Sequence, residues 1–437
     1  MSLTPDEDRL LSQLHKNLRQ DELEPGHPFW VDFREERFKG AVGPDVVRQL
    51  ARDVSWAEAG TVAFFSGFRG AGKSTELNRL RNVLRDEGFA VAKFNVEDYL
   101  AVRFPITAGQ LVLAMAAGIW AACAEQGWVD PDDDRGSPAR RLWDWVRSVR
   151  IDLPTDVTVK PPVVPAEVDL HFRLDRDFRD QLGAFLRARA VELNEQATEY
   201  FTDLDAQVRD HFVALGREWR GMVVIVDSLD HARSETAFSD VRNALREVFD
   251  LQLPLVRFRP FRTVFCIPPY LFPATGTVRR IFNVKVADRT GGPATEGVDA
   301  LVETVQRRLP PGLTRAGLLA DADVERLACC SGGHIRDLLR LVDEVILGAE
   351  AIPATAADVD AAIVRLRSSF PPLADDQRMW LDRIADTKQL ALAHQDGWDG
   401  LAELLDYHMV LTYSNGDEWY TVHPVIAGLL AREAGSG

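Results

Sequence analysis

The stretch Gly67-Phe68-Arg69-Gly70-Ala71-Gly72-Lys73-Ser74-Thr75 decides the fold of this chain. It has the form G-x-x-x-x-G-K-S, in which the glycines let the backbone turn and approach a phosphate, the lysine reaches the β- and γ-phosphates, and the serine hydroxyl binds Mg²⁺. An apolar run, Thr61 to Ser66, precedes it, and Glu76 to Leu84 follows with leucines at helical spacing. The sequence therefore predicts a strand, a phosphate-binding loop and a helix in that order.

This loop predicts a nucleotide site. Backbone N–H groups at the N-terminus of a helix bind anions, because the helix dipole favours negative charge there. We expect ATP as the cofactor, Lys73 as a catalytic cation and Ser74 as a ligand of Mg²⁺; a glycine-rich turn without a ligand is the alternative. Phe29, Trp30 and Phe33, earlier in the chain, are candidates for contact with adenine and equally for the core. The predicted cofactor-binding residues are Gly67, Arg69, Gly70, Ala71, Gly72, Lys73, Ser74 and Thr75.

A second acidic site follows the run Gly221 to Val226, whose unbroken apolar character is typical of a central strand buried on both faces. Asp227 ends this run and Asp230 comes three residues later. Because ligands bind at the carboxyl ends of parallel strands, we expect Asp227 to hold Mg²⁺ and Asp230 to orient the attacking water. Glu97 and Asp98 end another predicted strand, where a capping or solvated role competes with polarising water.

Three arginines are candidates for contact with the phosphates. Arg279 and Arg280 precede the stretch Ile281 to Val286, which predicts a fifth strand, and either could act as an arginine finger on the nucleotide of a neighbouring subunit. Arg336 follows Gly332-Gly333 in the first turn of a predicted helix, from which a guanidinium can face bound phosphate. For all three, a surface arginine without a catalytic role is the alternative.

Composition limits the classes of function. The chain has 437 residues, of which 46% are hydrophobic and 27% charged, as expected for a globular protein of two to four domains. A formal charge of −16 disfavours a broad nucleic-acid surface. The cysteines, Cys123, Cys266, Cys329 and Cys330, lack metal-ligand spacing and, without an export signal at the N-terminus, indicate the cytoplasm. The apolar run Leu111 to Ala124 is shorter than the roughly 20 residues of a membrane helix and predicts a buried helix.

The chain divides into four predicted segments. Residues 1–40 form an N-terminal helical segment, 41–290 a P-loop ATPase core with a large insertion at about 100–221, 291–370 a helical lid, and 371–437 a winged-helix-like domain. The last segment contains a hairpin signal, Asn415-Gly416. It carries eleven acidic and four basic residues, a balance that favours a protein contact over DNA.

With these pieces in place, the chain resembles the AAA+ and STAND branches of P-loop ATPases, which are additional-strand NTPases with a helical lid and a winged helix. The resemblance covers residues 40 to 430. Gly67 to Thr75 resembles the Walker A motif and Val223 to Asp227 the Walker B motif. Arg336 is similar to the sensor 2 arginine, and Arg279 or Arg280 falls where that family has its finger. The implied fold is α/β with a mostly parallel central sheet, a helical lid and a C-terminal winged helix.

The sequence departs from the AAA+ pattern at two points. Ser228 stands where AAA+ proteins usually have Glu after the Walker B Asp, and Ile267-Pro268 stands where a polar sensor is usual. The Asp-x-x-Asp order of Asp227 and Asp230 is more similar to STAND proteins, which often switch slowly between ADP and ATP states. The resemblance therefore implies slow rather than fast hydrolysis of ATP with Mg²⁺.

The resemblance implies an ATPase switch that assembles with itself or acts on an effector protein, without a membrane. Bacterial relatives of this kind often belong to antiphage or conflict systems. The alternatives are a DNA-binding initiator or transposition regulator that uses the winged helix, and a scaffold that binds nucleotide without cleaving it.

Overall fold

The computed structural model describes residues 3–19, 21–38, 45–100, 105–130, 142, 183–231, 238–390 and 397–434. The chain forms two compact units. Unit 1 comprises Met1–Val46, Gly67–Asn78 and Ile281–Gly437, and unit 2 comprises Val47–Ser66 and Arg79–Arg280. Much of the predicted insertion at about 100–221 lies outside the described residues, namely residues 101–104, 131–141 and 143–182.

Helices and strands alternate in the first part of the chain, and helices dominate the second. The strands are β1 (Val62–Ser66), β2 (Ala90–Asn95), β3 (Met222–Asp227), β4 (Phe261–Ile267), β5 (Thr277–Arg280), β6 (Val410–Ser414) and β7 (Glu418–Val422). The helices are α1 (Pro5–Asn17), α2 (Arg34–Phe38), α3 (Val46–Trp56), α4 (Lys73–Asp86), α5 (Ala108–Glu125), α6 (Ala190–Ala214), α7 (Phe238–Arg246), α8 (Leu253–Val256), α9 (Thr295–Gln306), α10 (Arg315–Leu318), α11 (Asp321–Cys330), α12 (Ile335–Gly348), α13 (Ala356–Ser368), α14 (Asp375–Thr387), α15 (Trp398–Asp406) and α16 (Pro424–Ala434).

A parallel sheet is the centre of unit 2. Its strand order is β2-β3-β4-β1-β5, and every neighbouring pair is parallel. All residues of β1 and β3 are buried, as their continuous apolar sequences predict. The predicted α/β fold with a mostly parallel sheet is confirmed. Since Ser66 pairs with Ile267 and Val226 pairs with Phe265, the carboxyl ends of β1 and β3 lie at the same edge of the sheet, with β4 between them.

The fifth strand is not where the sequence predicts it. β5 covers Thr277–Arg280 rather than Ile281 to Val286, because its partner β1 ends at Ser66, which pairs with Arg280. Beyond this point the backbone bonds elsewhere: the N–H of Asn283 donates to Thr412 O at 3.1 Å and that of Val284 to Gly333 O at 3.2 Å.

The long apolar helix α5 is a core helix of unit 2. It begins with a capping box between Thr107 and Gln110, and the hydroxyl of Tyr200 in α6 donates to its Ala116 carbonyl at 3.0 Å. Among the described residues α5 alone is long and apolar enough to cross a membrane, but 78% of it is buried inside the protein. The prediction of a buried helix is confirmed.

Unit 1 contains the helices that follow β5 and the antiparallel hairpin of β6 and β7. The predicted turn at Asn415-Gly416 is confirmed: Gly416 has a φ of 107° and Val410 pairs with Val422 across the hairpin. Tyr413 and Trp419 face each other across the two strands, with ring centroids 4.7 Å apart. Helices α14, α15 and α16 flank this hairpin in the sequence.

Candidate functional site

The glycine-rich loop after β1 has the backbone that a phosphate cradle requires. Gly70 and Gly72 have φ angles of 93° and 90°, which side-chain-bearing residues rarely adopt. At Gly67 the constraint is steric, since a Cβ there would lie 2.3 Å from Cγ2 of Ile281. Helix α4 begins at Lys73, so the loop leads into a helix N-terminus as predicted.

The side chain of Lys73 lies inside this loop. Its side chain is buried, and Nζ donates a hydrogen bond to the Phe68 carbonyl at 2.7 Å. The next residue, Ser74, is half-buried in the first turn of α4. The Thr75 hydroxyl accepts a hydrogen bond from the Leu23 N–H at 3.2 Å, which fastens the N-terminal segment to the same helix.

The loop is bound to the start of α12, which carries the predicted sensor arginine. The Arg336 N–H donates to the Gly70 carbonyl at 3.2 Å. Nε2 of His334, the N-cap residue of α12, donates to the Arg69 carbonyl at 2.7 Å. The structure therefore brings Arg336 to the predicted phosphate loop. It also adds His334, which the sequence analysis did not single out.

Arg37 is a second loop residue that the sequence did not reveal. It is buried in α2, donates to the Ala71 carbonyl, and lies 3.4 Å from Oε1 of Glu76 through its other nitrogen. Its guanidinium carbon is 5.2 Å from the centroid of the buried Phe33 ring. In the sequence it is one charged residue in the run Arg-Glu-Glu-Arg, with no signal that sets it apart.

The first predicted carboxylate, Asp227, ends β3 in a fully buried setting in unit 2. Its Oδ1 accepts the Ser228 N–H at 2.8 Å, and its Oδ2 lies 3.4 Å from Nζ of the buried Lys93. Ser228 has a φ of 69°, a strained turn for a residue with a side chain. Among the described residues Oδ2 has no hydrogen-bond partner. A buried carboxylate oxygen with an unused lone pair fits a ligand of Mg²⁺ or of its water shell.

The second predicted carboxylate, Asp230, lies close to Asp227. The thiol of Cys266 in β4 donates to its Oδ1 at 3.5 Å, and ligand atoms of Asp227, Asp230 and Cys266 lie within 4.8 Å of one another. His231 contacts Glu97 at 2.9 Å, in keeping with structural roles for both. Cys266 is thus the polar group that β4 contributes to this edge. It lies one residue before Ile267, which stands where AAA+ proteins usually have a polar sensor.

The two predicted finger arginines lie on β5 and have different surroundings. Arg279 makes a two-point ion pair with Asp53 of α3, with N to O distances of 2.6 and 3.0 Å. This hydrogen bond raises the pKa of Arg279. The guanidinium carbon of Arg280 is 4.3 Å from the centroid of the Phe272 ring. Both arginines make these contacts within unit 2.

No protein-family model and no curated protein matches this chain. Among solved structures, a Walker-type ATPase of Pyrococcus abyssi is similar over 95% of this chain and 99% of its own, at 12% identity and a TM-score of 0.41. The Aeropyrum pernix ORC2 protein in ADPNP and ADP complexes is similar over 89% and 94%, at 11% identity and a TM-score of 0.39.

A third solved structure, Cdc6p from Pyrobaculum aerophilum, is similar over 98% of this chain and 95% of its own, at 13% identity and a TM-score of 0.29. The parallel sheet of unit 2 and the glycine loop and helix that follow β1 in the sequence have the predicted α/β arrangement.

Proposed function

We propose that this protein is an ATP-binding and ATP-hydrolysing molecular switch of the additional-strand class, similar to AAA+ and STAND ATPases. The observation that carries the proposal is the loop itself, with Gly70 and Gly72 at positive φ and α4 beginning at Lys73. This geometry points backbone N–H groups at an anion and keeps a lysine charge beside it. The position of β4 between β1 and β3 supports the additional-strand assignment.

The proposed roles of the site residues follow from their surroundings. The loop from Gly67 to Thr75 binds the phosphates, and Ser74 and Asp227 are the proposed ligands of Mg²⁺. A bound Mg²⁺ would neutralise phosphate charge that develops during cleavage. Asp230, which is buried and held by the Cys266 thiol, is the proposed acid that orients water.

Slow turnover is part of the proposal. Lys93 lies 3.4 Å from Oδ2 of Asp227, so the carboxylate already has a cationic neighbour inside the protein. Magnesium binding must compete with this contact or rearrange it. Ser228 stands where a catalytic glutamate is usual in AAA+ proteins. Both features suit a protein that stays in one nucleotide state for a long time.

The switch is proposed to act through α12. Its N-cap residue His334 and its residue Arg336 donate hydrogen bonds to carbonyl groups of the loop, so a change in the loop on binding phosphate would reach the lid directly. We propose a four-part organisation, in which residues 1–40 precede the ATPase core, 291–370 form the lid and 371–437 form a winged helix. The acidic balance of the last segment suits a protein partner.

We further propose that ATP drives self-assembly or the binding of an effector protein in the cytoplasm, in a bacterial antiphage or conflict system. The test is to measure ATP affinity, phosphate release and particle size with ATP and with ADP. Wild type should bind ATP, release phosphate slowly and enlarge with ATP, while Lys73→Ala should lose at least tenfold in affinity. Equal affinity in both proteins would refute the proposal.

The control is Gly26→Ala, a change to alanine outside the phosphate loop. Gly26 has a positive φ of 87°, and no heavy atom lies within 4 Å of an added Cβ. Its ATP affinity should equal that of wild type. Duplex DNA is added in parallel over a series of salt concentrations. Strong, salt-dependent binding that is lost on removal of residues 371–437 would favour the DNA-binding alternative instead.

A further inference from the structure

A cluster of three histidines and one aspartate lies in unit 1, and the proposed ATPase chemistry does not use it. His334 precedes α12, Asp337 is in the first turn of α12, His408 lies between α15 and β6, and His423 lies between β7 and α16. Asp337 and His423 are fully buried. Oδ2 of Asp337 is 3.0 Å from Nδ1 of His334, 3.0 Å from Nε2 of His408 and 3.2 Å from Nε2 of His423.

These contacts do not have the geometry of hydrogen bonds. Nδ1 of His334, Nε2 of His408 and both oxygens of Asp337 are buried, and none has a hydrogen-bond partner among the described residues. Buried polar atoms without partners are costly, and each calls for an explanation. Ligand atoms about 2.0 to 2.2 Å from a shared metal ion lie roughly 3 to 3.5 Å from one another. The two distances of 3.0 Å from a ring nitrogen to Oδ2 fall in this range, and ligand atoms of His334, Asp337 and His408 all lie within 4.8 Å of one another.

The hydrogen bond that His334 makes to the loop indicates which of its ring nitrogens faces the cluster as a lone pair. Its Nε2 faces the Arg69 carbonyl at 2.7 Å, and a carbonyl only accepts, so Nε2 must carry the proton. In neutral His334 the lone pair of Nδ1 then faces the carboxylate oxygen of Asp337, an arrangement that repels. Metal-binding histidines commonly donate their second N–H to a backbone carbonyl, which is the contact that His334 makes.

His408 and His423 have different roles in this arrangement. His408 has a φ of 47°, a strained backbone for a residue with a side chain, which places its ring beside that of His334 with centroids 4.4 Å apart. Nδ1 of His423 accepts the Val425 N–H at 3.4 Å, so its Nε2 carries the proton and faces Asp337. Ligand atoms of His334, Asp337 and His408 lie within 4.8 Å of one another, and His423 is outside this group, so we treat it as a neighbour of the carboxylate and not as a ligand.

We propose that His334, His408 and Asp337 bind a divalent transition metal ion, through Nδ1, Nε2 and the carboxylate respectively. Two imidazoles and a carboxylate suit zinc and its neighbours rather than Mg²⁺, which prefers oxygen ligands. Arg340 is 3.8 Å from Oδ1 of Asp337 and faces the other oxygen of the carboxylate.

The test uses the full chain without an affinity tag, stripped with a strong chelator and titrated with Zn²⁺ against a competing chromogenic chelator. Wild type should bind one Zn²⁺ per chain, unaffected by millimolar Mg²⁺. His408→Asn should bind at least about 100-fold more weakly. Asparagine suits this site because it tolerates a positive φ, so the variant keeps the backbone turn.

The matched control is His211→Asn, which replaces a half-exposed histidine of α6 that does not belong to the cluster. It should bind Zn²⁺ as wild type does, and added Zn²⁺ should raise the unfolding temperature of both but not of His408→Asn. With Co²⁺ in place of Zn²⁺, wild type should give a visible absorption band. Folded wild type that binds no metal, or His408→Asn that binds as tightly, would overturn the proposal in favour of a protonated His334 paired with Asp337.

The metal site would also influence the phosphate loop, and this consequence rests on the proposed function. His334 joins the two, because one nitrogen faces the cluster and the other bonds to the Arg69 carbonyl. Removing the metal should weaken ATP binding in wild type but not in His408→Asn. Zinc binding without any ATP binding would refute the proposed function and leave the metal site standing.

Discussion

Gly70→Ala is the change that tests most sharply whether the loop depends on the lid helix. Gly70 has a φ of 93°, and a Cβ there would lie 2.7 Å from Cβ of Arg336 and 2.8 Å from Cε1 of His334. The first of these atoms is fixed to the backbone of α12 and cannot turn aside. The loop and α12 must therefore separate to admit one methyl group.

The magnitude follows from two contributions. An alanine at positive φ costs about 1 to 2 kcal/mol in backbone strain, and overpacking a close contact costs about 1 to 3 kcal/mol more. Alanine restricts the unfolded chain more than glycine does, which offsets about 0.4 to 1 kcal/mol of this loss of stability. We expect Gly70→Ala to lower the free energy of unfolding by about 2 to 4 kcal/mol, or about 4 to 16 °C at 2 to 4 °C per kcal/mol.

Gly26→Ala separates strain from packing. Gly26 is in the same unit, its φ is 87°, and nothing lies within 4 Å of an added Cβ, so it carries the strain without the overpacking. Thermal unfolding of the two variants should differ by about 1 to 3 kcal/mol, and only Gly70→Ala should also weaken ATP binding. Equal shifts in unfolding temperature would refute the argument that the loop packs closely against α12.

Three further predictions concern unit 2. Burial raises the pKa of Asp205 to about 6, so the native state holds its proton more tightly than the unfolded state and stability falls as pH rises from about 4 to 6. Asp205→Asn should then stabilise the protein by about 1 to 2 kcal/mol at pH 7.5, a range reduced to allow for the partial exposure of the side chain. At pH 4 it should have little effect. Urea unfolding that shows equal effects at both pH values would contradict this. Lys93→Met should cost about 3 to 5 kcal/mol because it leaves Asp227 as a buried, unpaired charge, and the double variant with Asp227→Asn should recover most of that loss in thermal unfolding. Arg280→Ala should reduce ATP turnover by about 10³ if Arg280 is a finger in trans, and mixing it with Lys73→Ala should restore part of the turnover; no gain on mixing would count against that role.

The sequence predicted the elements whose signals are local. The glycines of the loop, the apolar runs of β1 and β3 and the turn at Asn415-Gly416 each require a particular backbone, and the structure has it in each place. The predicted position of the fifth strand was wrong, because the extent of a strand depends on its partner strand. Ile281 to Val286 has the composition of a strand, but β1 ends at Ser66 and offers nothing further to pair with.

The polar contacts around the loop were beyond sequence reasoning for a different reason. Arg37 and Ala71 are 34 residues apart, and His334 and Arg69 are 265 apart, so no spacing rule joins them. The same holds for His408, which lies far from Asp337 in the chain and shows no metal-ligand spacing. A histidine alone in a sequence is usually structural. Only the fold reveals that its ring nitrogen faces a buried carboxylate.

Gly332 and Gly333 form the elbow between α11 and α12. This elbow packs against the hairpin, and the next residue, His334, contacts the phosphate loop. A Cβ on Gly333 would lie 1.7 Å from the Val284 carbonyl oxygen, and one on Gly332 would lie 2.2 Å from Cδ1 of Leu411 in β6. The Tyr413 hydroxyl donates to the Gly332 carbonyl at 2.6 Å. The elbow is therefore enclosed on both sides, so the backbone just before His334 cannot shift far without disturbing β6. Under the proposed function, a nucleotide that moves the loop would therefore either move the hairpin or break the hydrogen bond from His334 to the Arg69 carbonyl.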